Sequence, residues 1–243
     1  MKKICAFSIA DNNNLPYAKM LEKSLKYFHP DIELKIFGEE DIKQINLPEP
    51  YYRAKAFFGK QLSKDYDLVI NIDADCIVVG SLDDIINSSY DVGSVYNNLL
   101  GIPDPLKRPI CTLDKTNPLF YVNAGLVASK SKKFWDWWDD LNKRHFFGQY
   151  QFREQDTLNM IFYYGNLNCV NFDNSANVYG IYLNGYWPKA QLKNKDIVIP
   201  KEIVGQEKTI KILHWAGGSG MLKMNYRTKF SEKVADRIEE ILK

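Results

Sequence analysis

Two carboxylates, Asp73 and Asp75, interrupt an otherwise apolar run, DLVINIDADCIVVGS over residues 67–81. Leu68, Val69, Ile70 and Ile72 have the β-branched character of a buried strand, and residues 76–79 resume it. Side chains two apart along a strand share a face, so the pair is expected to aim its oxygens at one point. Like charges held that close call for a cation between them, and a hard divalent ion takes carboxylate oxygens together with water and phosphate. Asp at a strand exit also caps turns, and Asp-x-Asp alone is a weak pattern. The metal reading therefore depends on what the rest of the chain supplies.

A second cluster lies near the C-terminus. His214 stands where an apolar run, residues 209–213, meets Trp215-Ala216-Gly217-Gly218-Ser219-Gly220, with Lys223 following. A solitary histidine at a strand end is commonly a hydrogen-bonded structural residue. The glycines add a second reading, because backbone amides can then approach a phosphate closely and form a concave anion site. Two carboxylates, an imidazole, a glycine loop and a lysine together describe a site for a metal-bound diphosphate.

These groups need a scaffold that delivers them to one place. Residues 4–10 read as a buried strand, 16–28 as a helix with Leu21, Leu25 and Phe28 on one face, and 33–37 as a second strand ended by Gly38. That β-α-β opening belongs to a parallel sheet, whose ligands bind beyond the carboxyl ends of the strands, where the polar loop 11–14 lies. A helix over 52–62 carries Arg53, Lys55 and Lys60 into the central strand, and a short helix over 82–86 and strands over 91–96 and 120–129 follow. Ser131 is placed to cap a helix with Phe134, Trp138 and Leu141 on its inner face, leaving Trp135 or Trp137 as alternative sugar-stacking rings. Glu154-Gln155-Asp156 opens another helix, with Leu158, Ile161 and Phe162 inward and Gly165 just past its end; acidic residues in a first turn are also expected from the helix dipole. A strand over 166–172 and an amphipathic C-terminal helix capped by Ser231 complete the pattern. Residues 97–117 have no clear period and read as a binding loop or surface wrapping.

A chain of 243 residues with 45% hydrophobic content suits one large α/β domain, or at most two small ones. Lys and Arg number 32 against 30 acidic residues, so no basic field recommends nucleic acid or an anionic membrane as partner. Cys5, Cys76, Cys111 and Cys169 show no C-x-x-C pair and no zinc spacing, and read as reduced structural thiols. The apolar run at residues 4–10 is too short and too soon polar for a signal peptide, and no stretch approaches a transmembrane segment. The expectation is a soluble, cytoplasmic protein.

Taken in order, the motifs resemble those of the glycogenin-like glycosyltransferases, glycosyltransferase family 8, and more broadly the metal-dependent transferases of the GT-A fold. The resemblance covers nearly the whole chain. Ile9-Ala10-Asp11-Asn12 resembles the family's nucleotide-base loop, and Ile72-Asp73-Ala74-Asp75 with Val78-Val79 its metal motif. Asn123-Ala124-Gly125 resembles its sugar-contacting segment, Glu154-Gln155-Asp156 its acidic-Gln-Asp segment, and His214-Trp215-Ala216-Gly217 its histidine ligand and phosphate loop. Lys55, with Arg53 as the alternative, stands for the family's donor-contacting basic residue. Two departures are visible: the family commonly has Asp where Glu154 stands, and Gly220 falls where its lysine would be, Lys223 arriving three residues later.

The resemblance implies a single GT-A domain, a Rossmann-like, mixed but mostly parallel sheet flanked by helices. It implies Mn²⁺ (or Mg²⁺) held by Asp73, Asp75 and His214, imidazole ligation favouring Mn²⁺. A UDP-sugar donor would lie along Ile9, Ala10, Asp11, Asn12, Lys55 and Ala74, with its sugar at Asn123, Ala124 and Gly125 and its diphosphate at Gly217 and Lys223. Gln155, Glu154 and Asp156 would form the catalytic set for hexose transfer with retention, Gln155 near the reacting carbon. The acceptor, a glycan, a lipid-linked sugar or a protein, stays open. So do two other readings, a non-catalytic nucleotide-sugar or carbohydrate-binding protein on the same scaffold and a nucleotidyltransferase. A phosphatase pattern would continue with Gly-Thr where Cys76-Ile77 stands.

Overall fold

The computed structural model describes residues 2–96, 121–144, 153–172, 189–204, 207–215 and 225–243. Segment 97–117, Gly217 and Lys223 therefore lie outside the described residues. The fold is organised around β1 (Ile4–Ile9), which pairs in parallel with β2 (Glu33–Phe37) on one side and β3 (Leu68–Ile72) on the other. Beyond β3 come β6 (Val122–Ser129), antiparallel, then β5 (Val92–Tyr96) and β7 (Cys169–Asn171), giving a six-stranded sheet in the order β2-β1-β3-β6-β5-β7. Within this sheet, as described, only β6 runs against the rest. All five residues of β3 are buried, as expected for a strand covered on both faces.

Alternation along the strands separates two cores. Ala6, Leu68, Ile70 and Ile72 face Leu21 and Leu25 of α1 (Leu15–Phe28) and Ile85 of α4 (Asp83–Asn87). Cys5, Phe7, Val69 and Val127 face α3 (Pro50–Leu62), α5 (Lys132–Arg144) and α6 (Glu154–Tyr164) through Phe58, Phe134, Trp138 and Leu158. The short α2 (Glu39–Ile42) follows β2. Trp135 is fully buried between Phe7 and Trp138, so it is a core ring and not a sugar platform. It packs so closely on α3 that a Cβ on Gly59 would lie 2.2 Å from its ring. A third core joins Ile77, Leu213 and Trp215 to Val234, Ile238 and Ile241 of the C-terminal helix, Glu232–Leu242.

The expected strand through residues 68–79 is two strands. β3 stops at Ile72, the Cys76 amide donates to the Asp73 carbonyl at 3.0 Å to close a turn, and β4 (Cys76–Val78) leaves to pair with β11 (Ile212–His214). The reason is desolvation: two carboxylates inside a sheet covered on both faces would lose their water without full compensation, whereas a turn keeps them at its rim. The strand expected over 166–172 shortens to β7, and that over 209–213 divides into β10 (Lys208–Thr209) and β11. The polar stretch before it holds an antiparallel hairpin, β8 (Gln191–Lys193) and β9 (Asp196–Ile199). Asn194 and Lys195 both have positive φ, 50° and 73°, which is the type I′ turn that suits a two-residue hairpin. Among the described residues no helix is long and apolar enough to cross a membrane.

Candidate metal and donor site

Because β1 and β3 are parallel neighbours and the chain turns to β2 on the other side of β1, their carboxyl ends flank the point where strand order reverses, the usual place for a ligand in such sheets. The loops carrying Asp11 and Asp73 leave from there, and Ala10, Ala18 and Ala74 pack together between them. β6, running the other way, brings its start to the same edge, and the Asp73 amide donates to the Gly125 carbonyl at 2.8 Å. The β5–β6 register steps from Ser94↔Val127 to Val95↔Asn123, a bulge that leaves residues 124–126 out of regular pairing with β5. The Ala124 carbonyl accepts from Asn71 Nδ2 (3.1 Å) and from Lys55 Nζ (3.2 Å).

Lys55 reaches from α3 into a nest of acids. Its ammonium lies 2.8 and 3.1 Å from the two oxygens of Asp73 and 3.4 Å from Glu154 Oε1. Burial alone would lower its pKa, but Asp73 and Glu154 outweigh it and hold the ammonium charged. Burial raises the pKa of Glu154, with Lys55 opposing. On the far side of the carboxylates stands His214, whose Nε2 is 3.1 Å from Asp75 Oδ1 and 3.9 Å from Asp73 Oδ2. Burial disfavours the imidazolium, yet Asp75 and Asp73 together raise its pKa. β11 sets the ring's position: the Trp215 amide donates to the Asp75 carbonyl at 3.1 Å, and a Cβ on Gly125 would come within 2.3 Å of His214 Cε1. Only glycine at 125 admits the imidazole against β6.

The donor set fits a divalent ion. Adjacent ligands of an octahedral cation at ~2.1 Å lie about 3 Å apart, and the imidazole and Asp75 already stand at that separation. His214 Nδ1, buried and with no hydrogen-bond partner among the described residues, leaves Nε2 as the nitrogen aimed at the carboxylates.

α6 supplies the remaining polar groups. Gln155 Oε1 accepts from the Ala124 amide at 3.0 Å. The Asn159 side chain pairs with both backbone groups of Val122, at 2.8 Å each, like a substitute strand. Asp156 is fully buried and receives the Tyr121 hydroxyl, so its carboxylate braces the start of β6. Asp11 Oδ1 accepts from the Asn14 amide and side chain, both at 2.8 Å, shaping the loop into α1, and the Asn12 amide lies 3.4 Å from Glu39 Oε1. Asn123 and Ala124 are buried beside this cluster, and Ile9 closes β1 below it. Arg53 instead donates to the Pro48 carbonyl at 2.6 Å, while Lys55 is the basic residue seen at the site among the described residues.

Asn71, Asn159 and Tyr121 escape a motif-based reading. A polar residue inside the run LVINI is a visible signal for the first. Cys76 belongs with them: it lies close to Asp75 and His214, though its surroundings in sequence are those of a core thiol.

No protein-family model and no curated protein matches the chain by sequence. Among solved structures it is similar to the apo structure of the bifunctional glycosyltransferase WbbM, at 17% identity over 89% of this chain and 46% of that one, with a TM-score of 0.59. It is similar to the galactosyltransferase LgtC in complex with donor and acceptor sugar analogs, at 16% identity over 96% and 99% of the two chains, with a TM-score of 0.56. The glycosyltransferase GlyE of Streptococcus pneumoniae TIGR4 aligns at 15% identity over 99% and 63%, also at 0.56. The chain thus spans less than two thirds of WbbM and of GlyE, and nearly all of LgtC. What these chains share at such identities is architecture: a mixed, mostly parallel α/β sheet of the GT-A glycosyltransferase fold.

Proposed function

We propose that the chain is a metal-dependent glycosyltransferase that moves a hexose from a UDP-sugar to an acceptor with retention, as one catalytic domain over residues 1–243. The observation that carries this reading is the meeting of Asp73, Asp75 and His214 with Lys55 and Glu154 at the strand-order reversal of a GT-A sheet. Asp73, Asp75 and His214 would hold Mn²⁺, which would supply Lewis-acid stabilisation of the departing diphosphate. Ile9, Ala10, Asp11 and Asn12 hold the base and ribose, and the small Ala74 leaves them room. Lys55 gives the donor a cation beside Glu154. Gly217 and Lys223 complete the diphosphate contacts in this reading. Asn123 and Glu154 orient the sugar hydroxyls. The oxygen of Gln155 accepts from the Ala124 amide at 3.0 Å, which fixes the side chain beside the start of β6. An uncharged amide so placed is a weak nucleophile, which favours departure of UDP before the acceptor attacks on the same face. The donor and acceptor analogs named for LgtC are consistent with a two-substrate cleft of this kind.

A panel of nucleotide sugars tests the reading. Uridine nucleotides with Mn²⁺ are expected to raise the melting temperature, a ligand at 100 times its Kd stabilising by roughly 2.7 kcal/mol, and UDP-sugar is expected to hydrolyse slowly in the same mixture. Asp75→Ala should abolish both. Binding without hydrolysis or transfer would make the protein a nucleotide-sugar binder, and a preference for purine nucleotides would point to nucleotidyl transfer.

A further inference from the structure

β4 and β11 are antiparallel with Cys76 directly opposite His214, so the thiol and the imidazole project from the same face of that ribbon. Asp75 ends the turn that leads into Cys76. One donor atom from each of Asp75, Cys76 and His214 lies within 4.8 Å of the other two. Asp73 stands outside this trio, its two oxygens drawn to Lys55 at 2.8 and 3.1 Å. The three donors gathered in the protein as it stands are therefore an oxygen, a nitrogen and a sulfur.

We propose that Asp75, Cys76 and His214 form a binding site for a thiophilic divalent cation, Zn²⁺ or Cd²⁺, in which Cys76 supplies a thiolate donor. The proposal deepens the metal reading above and rests on it for the location of the ion. Carboxylate, imidazole and thiolate are the ligand types of zinc, and a thiolate selects Zn²⁺, Cd²⁺ and Co²⁺ strongly over Mn²⁺. Tetrahedral bonds of about 2.0–2.3 Å place donors between about 3.3 and 3.8 Å apart, and the trio's donor atoms already lie within 4.8 Å of one another. Cys76 is reduced and 1% exposed, shielded from bulk oxidants, while the side chain of Asp75 is 20% exposed and gives an ion a way in from solvent. As the sulfur–metal bond forms, the thiol proton leaves to solvent, so the thiolate and the Asp75 carboxylate together balance the two positive charges. Lys55 stays paired with Asp73 throughout. A soft cation seated this way takes Asp75 and His214 from the Mn²⁺ set, and competition by Zn²⁺ becomes a property of the site rather than of the donor.

Cobalt distinguishes the two sets of ligands. The full chain is titrated with Co²⁺, whose bond to a thiolate gives an intense near-ultraviolet charge-transfer band and whose tetrahedral sites absorb strongly in the visible. The wild-type protein should show both bands, and Zn²⁺ should erase them at one equivalent per chain. Cys76→Ser and Cys76→Ala should lose the ultraviolet band. Loss of an outer-shell partner alone typically weakens metal binding about 10–100-fold, and loss of a direct donor should weaken Zn²⁺ binding at least as much. Mn²⁺ affinity, followed by its paramagnetic resonance signal, should stay at the wild-type value in both variants, and metal-free melting curves check that they fold. Co²⁺ bound without a thiolate band in the wild type, or wild-type Zn²⁺ affinity in Cys76→Ala, overturns the proposal and leaves Cys76 a core thiol. If Mn²⁺ then still binds and depends on Asp75 and His214, the glycosyltransferase reading stands. If neither Mn²⁺ nor Co²⁺ binds, both fall.

Discussion

Replacing Lys55 with methionine keeps the aliphatic stem of the side chain in α3 and removes the ammonium 2.8 Å from Asp73 and 3.4 Å from Glu154. Breaking a buried ion pair by deleting one partner costs about 3–5 kcal/mol, because the remaining charge stays buried and uncompensated. Glu154 is only 14% exposed but Asp73 keeps 26%, so the low end, about 3 kcal/mol, applies here. In a chain of this size each 1 kcal/mol moves the melting temperature by roughly 2–4 °C, so the metal-free variant should melt about 6–12 °C below wild type near neutral pH. Two features separate this cost from simple loss of packing. Mn²⁺ at Asp73 and Asp75 supplies the missing positive charge and should restore more stability to the variant than to wild type. Acid should narrow the gap as well: burial already raises the pKa of Glu154, and losing Lys55 raises it further. The penalty of a buried carboxylate is fully present above that folded-state pKa, shrinks as pH falls below it, and is gone below the unfolded-state value. Thermal melts with chelator, with Mn²⁺ and across pH read all three. A variant within about 1 °C of wild type in every condition, less than ~0.5 kcal/mol, would mean that the ammonium is solvated and the acidic nest is not a buried unit.

His29 accepts the Leu82 amide on Nε2 at 2.7 Å, and burial lowers its pKa against the pull of Asp83. Its neutral form is the folded one, so its contribution is intact above the unfolded-state value of about 6.5 and is lost as pH falls through the lowered folded value. His29→Gln should flatten the acid side of a plot of melting temperature against pH, and an unchanged acid limb rejects the assignment. In Gly125→Ala the new methyl would lie 2.3 Å from His214 Cε1 and 2.8 Å from Asn123 Oδ1. We expect about 1–3 kcal/mol of overpacking cost together with weaker Mn²⁺ binding in a titration; unchanged Mn²⁺ affinity would show that β6 does not wedge the ring. Lys195 sits at φ 73° in the β8–β9 turn, its carbonyl accepts from Arg237 Nε at 3.0 Å, and its ammonium makes only a minor electrostatic contribution at exposed Glu240. Lys195→Gly should therefore stabilise the protein by about 1 kcal/mol, seen as a higher urea midpoint at unchanged slope, and a lower midpoint refutes the left-handed turn.

Residue order determined the elements whose burial pattern is written locally. The β-α-β opening and a strand within residues 120–129 follow from apolar runs of strand length, and the inward faces of Phe134 with Trp138 and of Val234 with Ile238 and Ile241 follow from periodicity, because a helix face that must leave water has to recur at the helical spacing. The identities of Asp73, Asp75 and His214 as one polar group were legible for a similar reason: charged and imidazole side chains at the ends of apolar runs need partners. Tertiary structure decided everything that depends on which strands pair. Apolar residues stand on both sides of Asp73 and Asp75, so spacing could not show that the strand ends, turns and leaves the sheet with β4. On α3 alone Lys55 is one of several basic residues of a mixed helix; it becomes the counter-charge of Asp73 and Glu154 only when that helix packs against β1 and β3. Gln155 is committed to the Ala124 amide by the docking of α6 on the bulge in β6. Cys76 reads as one more buried thiol until the β4–β11 register sets it opposite His214. Register is chosen by the summed burial and hydrogen bonding of whole strands far apart in the chain, and no local spacing carries that sum.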